Sequence, residues 1–97
     1  MEANLKKPEV IEKEQVAQLR FPNEEVLLAA DAIKLRKADL DKALKLGNIE
    51  KGKIKIVFED SESIKQIETT IWGVTDKRII LKQGVVIPIH RIHEVKM

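Results

Sequence analysis

The amino-acid sequence changes character near Gly47, and this change constrains the fold more than any other feature. Residues before Gly47 are mostly helix formers such as Ala, Leu, Lys and Glu, whereas those after it turn to Ile, Val and Thr in alternating patterns. A chain of 97 residues has room for one hydrophobic core, which both halves must share. The sequence therefore predicts a single α+β domain: a loose N-terminus over residues 1–8, a helical segment over 9–47 and a small β-barrel over 48–97.

Two helices are expected in the first half. Pro8 is placed to begin a first helix of about three turns, because proline is favoured in the first turn. Asn23 is a good N-cap for a second helix from Glu24 to about Leu46, and Gly47 would end it in a left-handed conformation. This helix would be about 34 Å long at about 1.5 Å per residue, longer than a small barrel is wide. We therefore expect it either to project beyond the barrel or to break near Asp39.

The second predicted helix carries apolar side chains on two opposite sides. The first stripe consists of Val26, Ala30, Ile33, Leu40 and Leu44, and the second of Leu28, Leu35 and Leu46. A helix that rests on one core needs only one apolar stripe. The second stripe is thus a candidate interaction surface, unless the first helix covers it within the chain. Its partner would be another copy of the protein or a different protein.

The second half predicts four to five short antiparallel strands. The expected strands are Lys53–Phe58, Ile64–Thr75, Arg78–Lys82 and Val85–Ile87, and a helical turn with a short fifth strand is expected within Ile89–Val95. Gly73 marks a bulge or a bend, and Gln83-Gly84 marks a tight hairpin. Short strands bent around a small apolar interior are typical of an SH3-like barrel.

The order of these segments resembles the Sm-like barrel plan, which includes bacterial RNA chaperones and a small inhibitor of the Rho terminator. The resemblance covers about residues 24–97, ends in the run Ile87–Val95, and implies a ring-forming RNA binder. Sm-like barrels usually place a glycine in the first turn, where this chain has Ser61-Glu62-Ser63. None of that family's RNA-contact motifs maps onto a residue of this sequence.

A second, shorter resemblance lies further along the strand half. The run Thr75–Leu81 followed by Ile87–Ile89 is similar to part of the bacterial PH-like domains. Those domains contain more strands and a terminal helix, which this sequence does not supply.

The charge of the chain favours a nucleic-acid partner only weakly. The 18 basic side chains nearly balance the 16 acidic ones. Residues 1–50 carry 9 basic and 10 acidic side chains, whereas residues 51–97 carry 9 and 6, so the excess lies on the strand half. The only tryptophan lies there too and could stack on a base. The candidate nucleic-acid face comprises Lys51, Lys53, Lys55, Trp72, Arg78, Lys82 and Arg91.

The residues that usually carry chemistry are scarce. Absence of cysteine excludes disulfides, thiolate metal sites and cysteine nucleophiles, and no nucleophile elbow or glycine-rich phosphate loop is present. His90 and His93, with Glu94 beside them, are the only metal candidates, and no third histidine completes a tetrahedral site. We therefore expect no catalytic residue, no cofactor and no metal.

No apolar run is long enough to span a membrane or to act as a signal peptide. We therefore expect a cytoplasmic protein without a membrane partner. The favoured function is a non-enzymatic binding or self-assembly module that acts through its long helix. The alternative is RNA or single-stranded nucleic-acid binding through the basic face of the barrel.

Overall fold

The computed structural model describes residues 7–50 and 52–97 as an α+β architecture of one long helix and two sheets. The helix is α1, Ala30–Glu50. The strands are β1 Glu9–Val10, β2 Ile54–Glu59, β3 Ile64–Thr69, β4 Ile71–Val74, β5 Arg78–Leu81, β6 Val86–Pro88 and β7 Ile92–Lys96. Short 3-10 helices lie at Lys13–Gln18, Lys82–Gly84 and Ile89–Arg91, so helical structure is not confined to the N-terminal half.

The strands form two sheets. The first has the order β1-β3-β2-β7 and the second the order β4-β5-β6. Every pairing is antiparallel except that of β1 with β3. The run expected as one strand from Ile64 to Thr75 is divided at Thr70, and its two parts belong to different sheets. The α+β class is confirmed, but no ladder between described strands joins the two sheets into the closed barrel that the sequence predicted.

One core lies between the sheets and the helix. Alternation along β2 turns Ile54, Ile56 and Phe58 inward, as the sequence predicted. One face of α1 joins this core through Leu40 and Ala43 and packs against β4 and β7. The other members of this core come from the 3-10 helix before α1 and from strands β3 to β7: Val16, Ile67, Ile71, Ile79, Leu81, Ile87, Ile92 and Val95.

The predicted first helix is wrong. Residues 9 and 10 instead pair with Lys65 and Gln66 on the open edge of β3, and a 3-10 helix follows. A helix of three turns is only marginally stable alone, whereas the edge of β3 offers unpaired backbone groups. Residues 9 and 10 therefore pair with β3 instead of forming a helix. Residues 1–6 of the predicted loose N-terminus lie outside the described residues.

The predicted second helix exists, with different ends. It begins at Ala30 and not at Glu24, and it continues without a break past Asp39 and past Gly47 to Glu50. Residues 20–29, here called the arm, are irregular and lie against the turn after β6. The late start follows from contacts of the arm with distant residues of the chain.

Two local predictions in the second half are confirmed. A helical turn at Ile89–Arg91 precedes the last strand. The hairpin between β5 and β6 turns through Gln83 and Gly84, whose φ angles of 69° and 81° place them in the left-handed region. Glycine adopts that conformation without strain, which explains its place in the turn.

Candidate interaction surface

The outer face of the second sheet carries large apolar side chains. Along β5 the core-facing residues are Ile79 and Leu81, so Ile80 faces the opposite side and is only partly buried. Val86 of β6 lies opposite Ile80 and is 37% exposed. The two side chains therefore form an apolar strip across neighbouring strands.

Trp72 extends this strip through a β-bulge. The register shifts from Ile71 opposite Leu81 to Gly73 opposite Ile80, which leaves Trp72 as the extra residue. A Cβ on residue 73 would lie 3.5 Å from Cδ1 of Ile80, so the isoleucine side chain covers the glycine. Trp72 is 55% exposed. The bulge expected at Gly73 is thus confirmed, and we call Trp72, Ile80 and Val86 the apolar face.

Basic side chains border the apolar face. Arg78 and Lys82 flank Ile80 along the strand direction, and both are exposed. The turn before β5 is held by Thr75, whose Oγ1 accepts hydrogen bonds from the backbone N–H groups of Lys77 and Arg78 at 3.2 and 3.0 Å. The side chains of Lys77, Arg78 and Lys82 form no ion pair with another described residue.

A cleft of about 790 Å³ opens beside the apolar face, between β6 and the arm. Val86 of the apolar face and Arg78, which borders that face, both line the cleft, so the two surfaces are continuous. The other lining residues come from the arm, α1, the turn before β5, the end of β6 and the turn that follows it: Phe21, Asn23, Glu25, Arg36, Asp76, Lys77, Pro88, Ile89 and His90. The lining of the cleft thus combines apolar side chains with the exposed cations Lys77 and Arg78.

An ion pair forms part of the wall of this cleft and fixes the arm to α1. Arg36 is almost completely buried, and its two terminal nitrogens donate to the carboxylate of Glu25 at 2.6 and 2.7 Å. Arg36 also donates to the carbonyl oxygen of Ile92 at 3.1 Å. The hydrogen bond from Arg36 is the largest influence on Glu25 and holds the pKa of that carboxyl below its usual range. Glu25 is therefore a carboxylate whose negative charge is already balanced by Arg36 within the protein.

His90 and Arg91 hold the rest of the arm. Nε2 of His90 lies 2.9 Å from the carbonyl oxygen of Pro22, and the backbone oxygen of His90 accepts a hydrogen bond from the N–H of Val26 at 3.0 Å. Arg91 donates to the carbonyl oxygens of Glu24 and Glu59 at 2.7 and 3.0 Å. These contacts explain why residues 24–29 do not join the helix.

Arg91 therefore does not belong to the surface where the sequence placed it. Its side chain is buried because three carbonyl oxygens of distant segments, the third being that of Asp60, surround the guanidinium. The other predicted members of the nucleic-acid face fall on two sheets. Lys53 precedes β2 and Lys55 lies on it, both exposed on the first sheet, whereas Trp72, Arg78 and Lys82 lie on or beside the second. Lys51 lies outside the described residues.

The first sheet does not offer a uniformly basic outer face. Lys55 is paired in register with Lys96 of β7 and with Glu68 of β3, and all three side chains are exposed. Glu94, also exposed, lies two residues before Lys96. Positive and negative side chains thus alternate on this face, which weakens its attraction for a phosphate backbone.

The predicted stripe of leucines does not form a continuous surface. Leu28 precedes α1 and is 97% exposed, Leu35 is 62% exposed on the helix, and Leu46 packs partly buried against the core of its own chain. Among the residues of α1 from Ala30 to Gly47, Leu35 is the only large apolar side chain that is exposed.

The two histidines are held apart by different partners. Nε2 of His90 meets the arm, whereas Nε2 of His93 lies 2.8 Å from a carboxylate oxygen of Glu59. Among the described residues, no three of His, Cys, Asp or Glu come together in a group that could hold a metal ion.

A buried ion pair gives no signal in the sequence. The carboxylate of Asp60, in the turn between β2 and β3, accepts hydrogen bonds from Nζ of Lys65 at 3.0 Å and from the N–H groups of Glu62 and Ser63. Burial raises the pKa of this carboxyl, but the hydrogen bonds from Ser63, Lys65 and Glu62 outweigh it and the net shift is downward. The pair lies away from the cleft and stabilises the turn.

No helix in the described ranges is long and apolar enough to cross a membrane. Comparison of the chain with protein-family models, with curated proteins and with solved structures found no match.

Proposed function

We propose that the protein is a non-enzymatic module that binds another protein through the apolar face and the adjoining cleft. The observation that carries this proposal is the position of Trp72, Ile80 and Val86 side by side on the outer face of a three-stranded sheet. Exposed apolar clusters of this kind mark interaction surfaces in soluble proteins, and tryptophan is among the residues that contribute most to binding.

The apolar face is favoured over the helix as the binding surface. Leu35 is a single exposed leucine between charged neighbours, and isolated apolar side chains on a surface need no partner. Trp72 instead has Ile80 beside it in the sheet and a cleft further along the same face. Self-assembly through α1 has correspondingly little support.

A selection of peptides from a random library displayed on phage tests the proposal while the partner is still unidentified. We expect sequences that converge and bind the wild-type protein, with Trp72→Ala weakening them by about tenfold or more. Leu35→Ala is the matched control, because it removes an exposed apolar side chain elsewhere. Circular dichroism checks that both variants fold. Failure of the selection to converge, or equal binding by Trp72→Ala and wild type, would contradict the proposal.

A second candidate function is the binding of single-stranded RNA, which the resemblance to Sm-like proteins also implies. One observation favours it: Trp72 is exposed, and Lys82 and Arg78 lie on the same sheet. The division of the other lysines between two sheets, and the aliphatic neighbours of Trp72, make it the less supported alternative. Fluorescence polarisation with oligo-uridine and oligo-adenosine across a salt series tests it. Binding absent at about 50 mM salt would exclude it, since phosphate contacts are strongest there.

A further inference from the structure

The charges around the apolar face do not balance. Lys77, Arg78 and Lys82 are exposed and unpaired with any other described residue. The cleft has two carboxylates in its lining, and one of them, Glu25, is held by Arg36. Among the described residues that line the cleft, only the carboxylate of Asp76 remains to offset the cations. A partner that covers this surface must supply negative charge, because cations desolvated without a counter-charge oppose binding.

This excess of positive charge argues against a second copy of the chain as the occupant. In a two-fold symmetric dimer the same patch meets itself. Two patches with the same excess of positive charge would then meet, and this like charge disfavours association. The occupant is therefore a different molecule that carries carboxylates.

The free edge of β6 indicates the conformation of the occupant. The N–H of Leu81 donates to the oxygen of Val85 at 2.7 Å, and the N–H of Ile89 donates to the oxygen of Lys77 at 2.9 Å. Bonded and non-bonded pairs alternate in an antiparallel ladder, so the N–H and C=O groups of Val86 point away from β5. No other described backbone group is hydrogen-bonded to them, so they can pair with an extended chain.

The length of this edge is limited at both ends. Pro88 has no N–H to donate, although its carbonyl oxygen can accept. Beyond Pro88 the arm itself takes the edge, where the N–H of Val26 donates to His90. A short extended segment thus fits between the hairpin and the arm, and its side chains alternate between the cationic outer side and the apolar lining near Phe21 and Ile89.

We infer that the cleft binds an extended peptide segment in which acidic and apolar residues alternate, as an added strand on the edge of β6. The inference rests on the proposed function and names the kind of partner. Its carboxylates pair with Arg78 and Lys77, and its apolar side chains lie against Phe21 and Ile89.

Three dye-labelled peptides test the chemistry of the partner. They share one sequence in which Leu alternates with Glu, with Gln or with Lys. We expect the Glu peptide to bind, the Gln peptide to bind about tenfold more weakly, and the Lys peptide not to bind, as measured by fluorescence anisotropy. Arg78→Gln should weaken the Glu peptide by a similar factor. Lys55→Gln is the matched control, since it removes a charge from the other sheet and should leave the affinity unchanged.

Backbone methylation tests the added strand. The Glu peptide is made with methyl groups on one or the other alternate set of its backbone nitrogens. Pairing along one edge uses only one set, so one methylated peptide should lose binding and the other should keep it. Equal loss or equal retention in both would contradict strand addition.

The outcomes separate this inference from the proposed function. If the Glu, Gln and Lys peptides bind equally well and Trp72→Ala binds none of them, the inference of an acidic partner is overturned. The apolar face would then remain the binding site. Phage-selected peptides without acidic residues would do the same. Failure of both the defined peptides and the library would overturn both proposals. Binding of oligo-uridine that depends on Arg78, with the Glu peptide inactive, would replace the peptide by a nucleic acid.

Discussion

The carbonyl oxygen of Ile71 lies directly against Gly47 of α1, so close that a Cβ on residue 47 would be 2.6 Å from it. This approach allows α1 to pack on β4, and it explains why a glycine stands inside a helix that continues three residues further. The residue is there for close contact between backbones and not for the helix end that the sequence suggested.

Replacing Gly47 with alanine should therefore destabilise the protein, although the same change in an exposed helix interior stabilises by about 1 kcal/mol. The methyl group meets backbone and cannot be accommodated by a side-chain rotation, so we expect a loss of about 1–3 kcal/mol, measured by urea unfolding. Gly73→Ala is the matched control, because the nearest atom to its Cβ lies at an ordinary 3.5 Å. A Gly47→Ala variant as stable as wild type would contradict the close contact.

The Arg36–Glu25 pair predicts an asymmetry between its two partners. Glu25→Ala leaves a guanidinium that is 5% exposed without its counter-charge, whereas Arg36→Met leaves a carboxylate that reaches solvent at 32% exposure. The first change should cost about 3 kcal/mol of unfolding free energy and the second clearly less, because an unpaired buried charge dominates the loss. Urea unfolding of both variants at neutral pH gives the comparison. The reverse order would show that Arg36 is not the confined partner.

The limits of sequence reasoning here follow from long-range contacts. Strand β2 and the turn-then-strand ending were predictable because residue period and turn residues are local signals. The start of α1 was not predictable, because contacts with Arg36 of α1 keep the arm out of the helix. His90 and Arg91, which lie far along the chain, hold it in the same way. Local propensity favoured helix there, and tertiary contacts overrode it.

The candidate surface shows the same division. Ile80 and Val86 belong to continuous apolar runs that are typical of buried strands, and only the pairing register shows that they face outward. Arg91 is a charged residue in a basic half, which indicates a surface position. Its burial depends on carbonyl oxygens from residues 24, 59 and 60. Trp72, the only tryptophan and so a natural candidate for a contact residue, is exposed.

The buried position of Arg91 predicts a structural role. Arg91→Lys keeps the charge but loses the planar fork that reaches several carbonyl groups at once, so it should destabilise the protein by about 1–3 kcal/mol. Hydrogen exchange should also become faster at Val26, whose N–H is bonded in the arm that Arg91 holds. Arg78→Gln, at an exposed position, should leave the free energy of unfolding within about 0.5 kcal/mol of the wild-type value. It should also leave hydrogen exchange at Val26 unchanged. No change in Arg91→Lys would argue against the anchoring of the arm.

Acidification should remove the stabilisation provided by Asp60. Its folded-state pKa lies below the value of the unfolded chain, so the contribution is present above about pH 4 and is lost as the pH falls through the folded pKa. We expect Asp60→Asn to be less stable than wild type at neutral pH, with the gap narrowing below about pH 4. Urea unfolding across pH measures this difference in unfolding free energy between the two proteins. The titration of Glu25 contributes equally to both proteins and therefore cancels in the difference. A gap that is constant with pH would contradict the shift.

The surroundings of Trp72 can be read from its fluorescence, because it is the only tryptophan in the chain. At 55% exposure it should emit at the long wavelengths of a solvated indole and be accessible to quenchers. The unpaired cations Arg78 and Lys82 on the same sheet raise the local concentration of anions. When each quencher is scaled to its quenching of free N-acetyltryptophanamide, iodide should therefore quench Trp72 more strongly than caesium at equal ionic strength. Arg78→Gln combined with Lys82→Gln should reduce this difference, whereas Lys53→Gln combined with Lys55→Gln on the first sheet should not. Equal scaled quenching by iodide and caesium in the wild-type protein would show that the apolar face lacks the positive field on which an acidic partner depends.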